Sequence, residues 1–165
     1  MMIKQLIIGT CLLWQFAVHA QTDSINPTRI NYTFFSDKTL LFTTNEQKLY
    51  PELKDGKMVV FQYSKQHAEN PSISDDELYE SVQFEVDPTW NNFIFRKKLP
   101  LCKPVYNLSC FCIGRGYYQP VSGYIKGKKL PNGNYFIEAD LLIKYESGNT
   151  KKITFKGEFT PANAG

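Results

Sequence analysis

The sequence predicts an all-β fold: an antiparallel β-sandwich of about eight strands or, alternatively, a small β-barrel. Three observations carry that expectation. Aromatic and β-branched residues crowd into short segments, several segments alternate strictly between apolar and polar, and Gly, Asn and Pro punctuate them. Taken in order, the predicted strands are Arg29–Phe35, Thr39–Thr44, Lys57–Ser64, Ser81–Asp87, Phe93–Lys97, Val121–Lys129, Asn134–Glu146 and Lys151–Thr160.

The clearest of these is "NYFIEADLLIKYE". Tyr135, Ile137, Ala139, Leu141, Ile143 and Tyr145 share one parity, while Glu138, Asp140, Lys144 and Glu146 dominate the other. A period of two over that length means a strand with one buried face. "KKITFKGEF" repeats the pattern with Ile153, Phe155, Gly157 and Phe159 in register. "PNGN" and "ESGNT" supply the tight turns, so the last forty residues predict a three-stranded antiparallel meander. One helical signal interrupts the strands. In "SDDELYE", Ser74 and Glu77 have capping-box spacing, and Asp75 and Asp76 suit a helix N-terminus, which predicts one or two helical turns over 74–80.

Residues 1–20 read as an export signal. Lys4 precedes the apolar run "LIIGTCLLWQFAV", and "VHA" places small residues before Gln21. Cleavage after Ala20 leaves 145 of the 165 residues as one domain with frayed ends, exported to the periplasm or secreted. No later stretch is long and apolar enough for a spanning helix.

Charge is unevenly distributed. Residues 21–95 hold 6 basic and 12 acidic side chains, and residues 96–165 hold 12 basic and 4 acidic, so the two parts carry −6 and +8. Either a basic face meets a polyanion, or acidic and basic strands become neighbours and pair across a sheet. The second is preferred. No arginine-rich run with interleaved aromatics occurs, so nucleic acid is not an expected partner.

"LPLCKPVYNLSCFC" holds all three cysteines of the exported chain. An oxidising compartment favours a disulfide of Cys102 with Cys110 or Cys112, leaving one thiol over. No metal site is expected, because the C-x7-C-x-C spacing fits no zinc ribbon and the one histidine after residue 20, His67, is distant in sequence. The C-x-x-C of a thiol oxidoreductase is missing. His67 reads as a solvated loop residue. Asp75, Asp76, Glu77 and Glu80 read as the solvated first turn of the capped helix, and "GRG" at 114–116 reads as a turn. No catalytic residue and no cofactor is expected.

Binding is the remaining expectation. "DPTWNNF" sets Trp90 and Asn91 in a turn, and "GRGYYQP" sets Tyr117 and Tyr118 after a glycine pair. Aromatics beside polar amides on loops suit sugars or protein partners.

The stretches "AVHAQ", "DDELYESVQFEVDP", "CFC" and "VSGYIKGKKL" together resemble small exported proteins of Bacteroidota, many of them lipoproteins. The similarity runs over about residues 57–159. It implies a periplasmic or cell-surface location and no particular activity. This chain departs from the lipoprotein pattern, since Cys11 lies inside the apolar run rather than at its end.

The expected function is therefore an exported, non-catalytic binding module for an unknown protein, peptide or glycan. Two alternatives stand beside it: an inhibitor or immunity-type protein presenting a bridged loop over 103–109, and a thiol- or metal-binding protein centred on the cysteines.

Overall fold

A computed structural model describes residues 27–46, 48–69 and 77–162. It is all-β, as the alternation predicts, and its strands form one strongly curled half-barrel sheet, which agrees with the small-barrel alternative rather than with two stacked sheets. The strands are β1 (Arg29–Asn45), β2 (Lys48–Asp55), β3 (Met58–Gln66), β4 (Tyr79–Val86), β5 (Asn92–Phe95), β6 (Val105–Ser109), β7 (Gly116–Tyr118), β8 (Ser122–Lys129), β9 (Tyr135–Lys144) and β10 (Thr150–Pro161). Their order across the sheet is β5-β8-β9-β10-β1-β3-β4-β6-β7, with β2 paired to β1 off that path.

The expected sandwich becomes a half-barrel because of β1. Its first half pairs antiparallel with β3, and Thr33 and Phe34 also pair in parallel with Thr160 and Pro161 of β10. One strand thus joins the two meanders that a sandwich would keep apart. The two strands predicted over Arg29–Phe35 and Thr39–Thr44 are halves of β1. Between Phe35 and Lys38 the register shifts, and Asp37 adopts φ 54°. Such a bulge re-aims a strand without ending it. Lys38–Asn45 then leaves the sheet in a hairpin with β2.

The predicted C-terminal meander is present. β8 pairs with β9 and β9 with β10 through long antiparallel registers, and Gly133 takes the positive φ (86°) that its turn needs. The predicted helix fares differently. Residues 74–76 lie outside the described residues, Glu77 and Leu78 are irregular, and Tyr79 and Glu80 already belong to β4. Pairing of β4 with β3 on one side and β6 on the other satisfies the backbone there better than a helical turn would. The one helical element among the described residues is a 3₁₀ turn, Leu99–Cys102, closed by Lys103 at φ 45°.

The concave face of the sheet carries the core. Phe61, Phe84, Phe159, Tyr106, Ile125, Ile137, Leu141 and Ile143 are fully buried, and aromatic rings stack or meet edge-on through its centre. The convex face of β8–β10 carries an ion ladder instead. Lys126 and Lys156 meet Glu138 at 3.0 and 3.5 Å, and Lys152 meets Asp140 at 2.8 Å.

The β1–β2 hairpin folds over the convex face of β4 and β6. Glu85 points away from the core, between Phe84 and Val86, and is only 4% exposed. It accepts hydrogen bonds from Thr39 Oγ1 and Leu40 N, both at 2.8 Å, and pairs with Lys103 Nζ at 2.7 Å. Glu85–Lys103 and Glu80–Lys151 both join the acidic part of the chain to the basic part. Paired neighbours thus account for part of the charge asymmetry.

Candidate functional site: a tyrosine-lined cleft at the β7 edge

The four residues expected to bind fall at opposite edges of the sheet. Trp90 and Asn91 sit in the turn before β5. There Asp87 Oδ1 accepts from Thr89 N and Oγ1 at 2.9 and 2.6 Å, and Trp90 N donates to Asp87 O. The Trp90 ring leans on Phe95, with centroids 5.8 Å apart, and stays 44% exposed. Tyr117 and Tyr118 form β7, the last strand at the other edge. Tyr118 lies across from Tyr106, which lies across from Val82 of β4, whereas Trp90 follows the end of that strand at Val86. Four residues of strand separate those levels by about 13 Å. The two aromatic stretches therefore lie on two separate surfaces.

β7 borders the larger one. A cleft of about 900 Å³ is lined by Tyr50 of β2, by Cys112–Gln119 around β7, and by Lys144, Tyr145 and Glu146 at the end of β9. Four tyrosines shape it. Tyr50 and Tyr117 have centroids 6.3 Å apart, and Tyr118 and Tyr145 meet edge-on at 5.0 Å. Tyr118 donates its hydroxyl to Gly114 O at 2.8 Å, which fixes its ring. The cations Lys48, Arg115 and Lys144 rim the cleft beside one carboxylate, Glu146, and form no ion pair among the described residues.

Beneath β7 lies a polar network that the sequence reading placed on the surface. Glu80 is 6% exposed and inside the core face of β4, in phase with Val82, Phe84 and Val86. One oxygen meets His67 Nε2 at 2.6 Å; the other accepts from Tyr106 Oη at 2.8 Å and pairs with Lys151 Nζ at 2.7 Å. Burial alone would raise this carboxyl's pKa, but the bonds from Lys151, Tyr106 and His67 together hold it below the ordinary value. Burial pushes the Tyr106 hydroxyl well up, and its bonds to Tyr145 and Glu80 push the same way. Glu80 is thus not a solvated helix residue, and His67 is not a free loop histidine. The signal for Glu80 was in the sequence: its parity matches the apolar residues that follow it. Among the described residues, no cluster of three metal-ligating side chains occurs.

The cysteines depart from the expected pairing. Cys102 closes the 3₁₀ turn, is fully buried, and donates its thiol to Leu99 O at 3.1 Å. Burial pushes that thiol up to about 12. From there β6 carries the chain away in extended form, so Cys102 reaches neither of the others. Cys110 and Cys112 are instead in disulfide-like contact with each other across Phe111, their Cα atoms 5.2 Å apart. They lie in the β6–β7 loop rather than on a strand, and that loop leaves Phe111 78% and Ile113 101% exposed. The segment 103–109, expected as a presented loop, is largely β6, paired on both sides, with Val105, Tyr106 and Leu108 buried.

No protein-family model, curated protein or solved structure matches the chain. No helix among the described residues is long and apolar enough to cross a membrane.

Proposed function

We propose that this chain is an exported, non-catalytic binding module that takes a protein, peptide or glycan ligand in the β7 cleft. One observation carries the reading: a cleft of about 900 Å³ among the described residues coincides with Tyr117 and Tyr118 and adds Tyr50 and Tyr145 to them, giving aromatic surface at a cation-rimmed opening. The buried Glu80 network acts in this reading as the rigid polar support of β6 and β7, not as a reaction centre. Export is supported by the leader-like residues 1–20 and by the similarity to exported Bacteroidota proteins.

The test is hydrogen-exchange footprinting of ligands chosen by the mature protein from a glycan array and from a displayed peptide library. Slowed exchange over 113–119 and 144–146 supports the reading. Slowed exchange confined to 90–98 contradicts it.

A second reading, presentation of a loop to an enzyme, moves from 103–109 to the β6–β7 loop, where Phe111 and Ile113 protrude.

A further inference from the structure

β7 has a strand on one side only. Its pairs are Tyr106 with Tyr118, Asn107 with Tyr117 and Leu108 with Gly116, and the sheet order ends there. Among the described residues, no other backbone hydrogen bond reaches Gly116, Tyr117 or Tyr118. The free side of this strand opens along the cleft, whose lining includes Gly116, Tyr117, Tyr118 and Gln119 in succession. An open edge of this kind is a template for one more strand.

The side chains of β7 alternate in the way such a strand would use. Tyr118 turns to the concave side, against Tyr145; Tyr117 turns to the convex side, against Tyr50. A chain laid along the edge would therefore meet an aromatic surface with each of its two faces, one for odd and one for even positions. The slot is short. Arg115 stands before it, and Pro120, which has no N–H to offer, follows Gln119, so about four residues can pair.

Charge selects among extended chains. Lys48, Arg115 and Lys144 are exposed and without an ion pair among the described residues, against the single carboxylate of Glu146. A neutral or anionic sugar could stack on the tyrosines, but it would leave the row of edge N–H and C=O groups unmatched.

On the reading that the β7 cleft is the binding site, we propose that its occupant is an extended acidic segment of a partner polypeptide, which adds to β7 as a further strand. Main-chain hydrogen bonds hold it, its alternate side chains lie on the two tyrosine pairs, and its carboxylates face Lys48, Arg115 and Lys144. Binding of this kind weakens as salt rises.

The test uses the ¹⁵N-labelled mature chain and three probes. These are an octapeptide with a Val-Tyr-Val-Tyr centre and two Glu or Asp at each end, the same peptide with Lys for each acid, and a galacturonate oligosaccharide. The acidic peptide is expected to shift the amide signals of residues 115–119 and slow their exchange, and the lysine peptide is not. Methylating alternate amide nitrogens of the peptide should cost about tenfold in affinity, the worth of a lost hydrogen bond or two. Lys144→Glu should cost roughly two- to fivefold, the size of an exposed ion pair. Shifts produced by the oligosaccharide and not by the acidic peptide overturn strand addition and leave the cleft as a glycan site. Equal binding of both peptides overturns the charge argument. Shifts by no probe, or only over Asn92–Phe95, overturn the proposal and the cleft reading together.

Discussion

The two ends of the main strand order, β5 and β7, are built differently. β5 is four residues long and is followed at once by Arg96, Lys97 and Lys98, with Lys126 and Lys128 across from it on β8. Ile94 is 65% exposed on that edge, but cations surround it. Positive charge on a short edge repels a second copy of the same edge, which is how sheets avoid pairing with themselves. β7 holds no lysine, lies in a cleft, and offers tyrosines on both faces. The supports differ as well. β5 rests on Phe93 and Phe95 against Phe61, whereas β7 rests on Tyr106, Tyr145, Glu80 and Lys151. One edge is closed by charge over an apolar base; the other is open over a hydrogen-bonded one.

The largest predicted effect breaks the apolar base. Phe93 is buried against Phe61, and its ring lies over Gly127, where an added Cβ would collide with it. Phe93→Ala should cost about 3 kcal/mol, at the low end for a buried phenylalanine because the site is near an edge. Urea denaturation measures it. Ligand binding by the folded variant should be unchanged, since the cleft lies at the other edge.

Removing the carboxylate under β7 comes next. Glu80→Ala leaves Lys151 and Tyr106 without their acceptor and should cost about 2–3 kcal/mol, less than a fully buried pair because Lys151 reaches solvent. The pH dependence has a definite sign. The carboxyl's pKa is lower folded than unfolded, so its contribution is complete above the unfolded value, about 4.3, and is lost as pH falls through the folded one. Acid titration of wild type should show that loss below about pH 4.3. In Glu80→Gln this part of the loss should vanish.

The cysteine loop should matter less. A bridge across one intervening residue closes a loop of three, worth about 1.6 kcal/mol by chain entropy. Cys110→Ser should lose no more than that. Mass spectrometry with an alkylating reagent, on the chain from Gln21 onward, should find no reactive thiol in the native state and one, Cys102, after unfolding, because that thiol is fully buried. Three alkylated cysteines in that chain, purified without reductant, would contradict the bridge. The smallest effect is expected at Trp90, half exposed in its turn: Trp90→Ala should change stability by roughly 1 kcal/mol or less.

What could be read from the sequence, and what could not, follows the same division. β8, β9 and β10 were legible because each alternates cleanly and glycine turns join them. β2, β6 and β7 were not. β2 contains Pro51 and packs only as a hairpin arm, while β6 and β7 are five and three residues long, too short for periodicity to speak. Curling into one sheet depends on the parallel contact of β1 with β10, a pairing between chain ends that local pattern does not encode. Tyr117 and Tyr118 could be singled out by composition, as paired aromatics after a glycine turn. Their partners Tyr50 and Tyr145 come from 67 residues earlier and 27 residues later than Tyr117 and Tyr118 respectively, and only the fold brings them together. The cysteine pairing was misjudged because Val105–Ser109 runs extended, which separates Cys102 from the other two.

The most direct test of the open-edge account compares the edges in one assay. Binding of a single selected ligand would be measured by calorimetry for wild type, for Tyr118→Ala, and for the paired change Trp90→Ala with Ile94→Ala. The account predicts at least a tenfold loss in Tyr118→Ala and no change in the β5-edge variant. A tenfold loss in the β5-edge variant with Tyr118→Ala unaffected would contradict it.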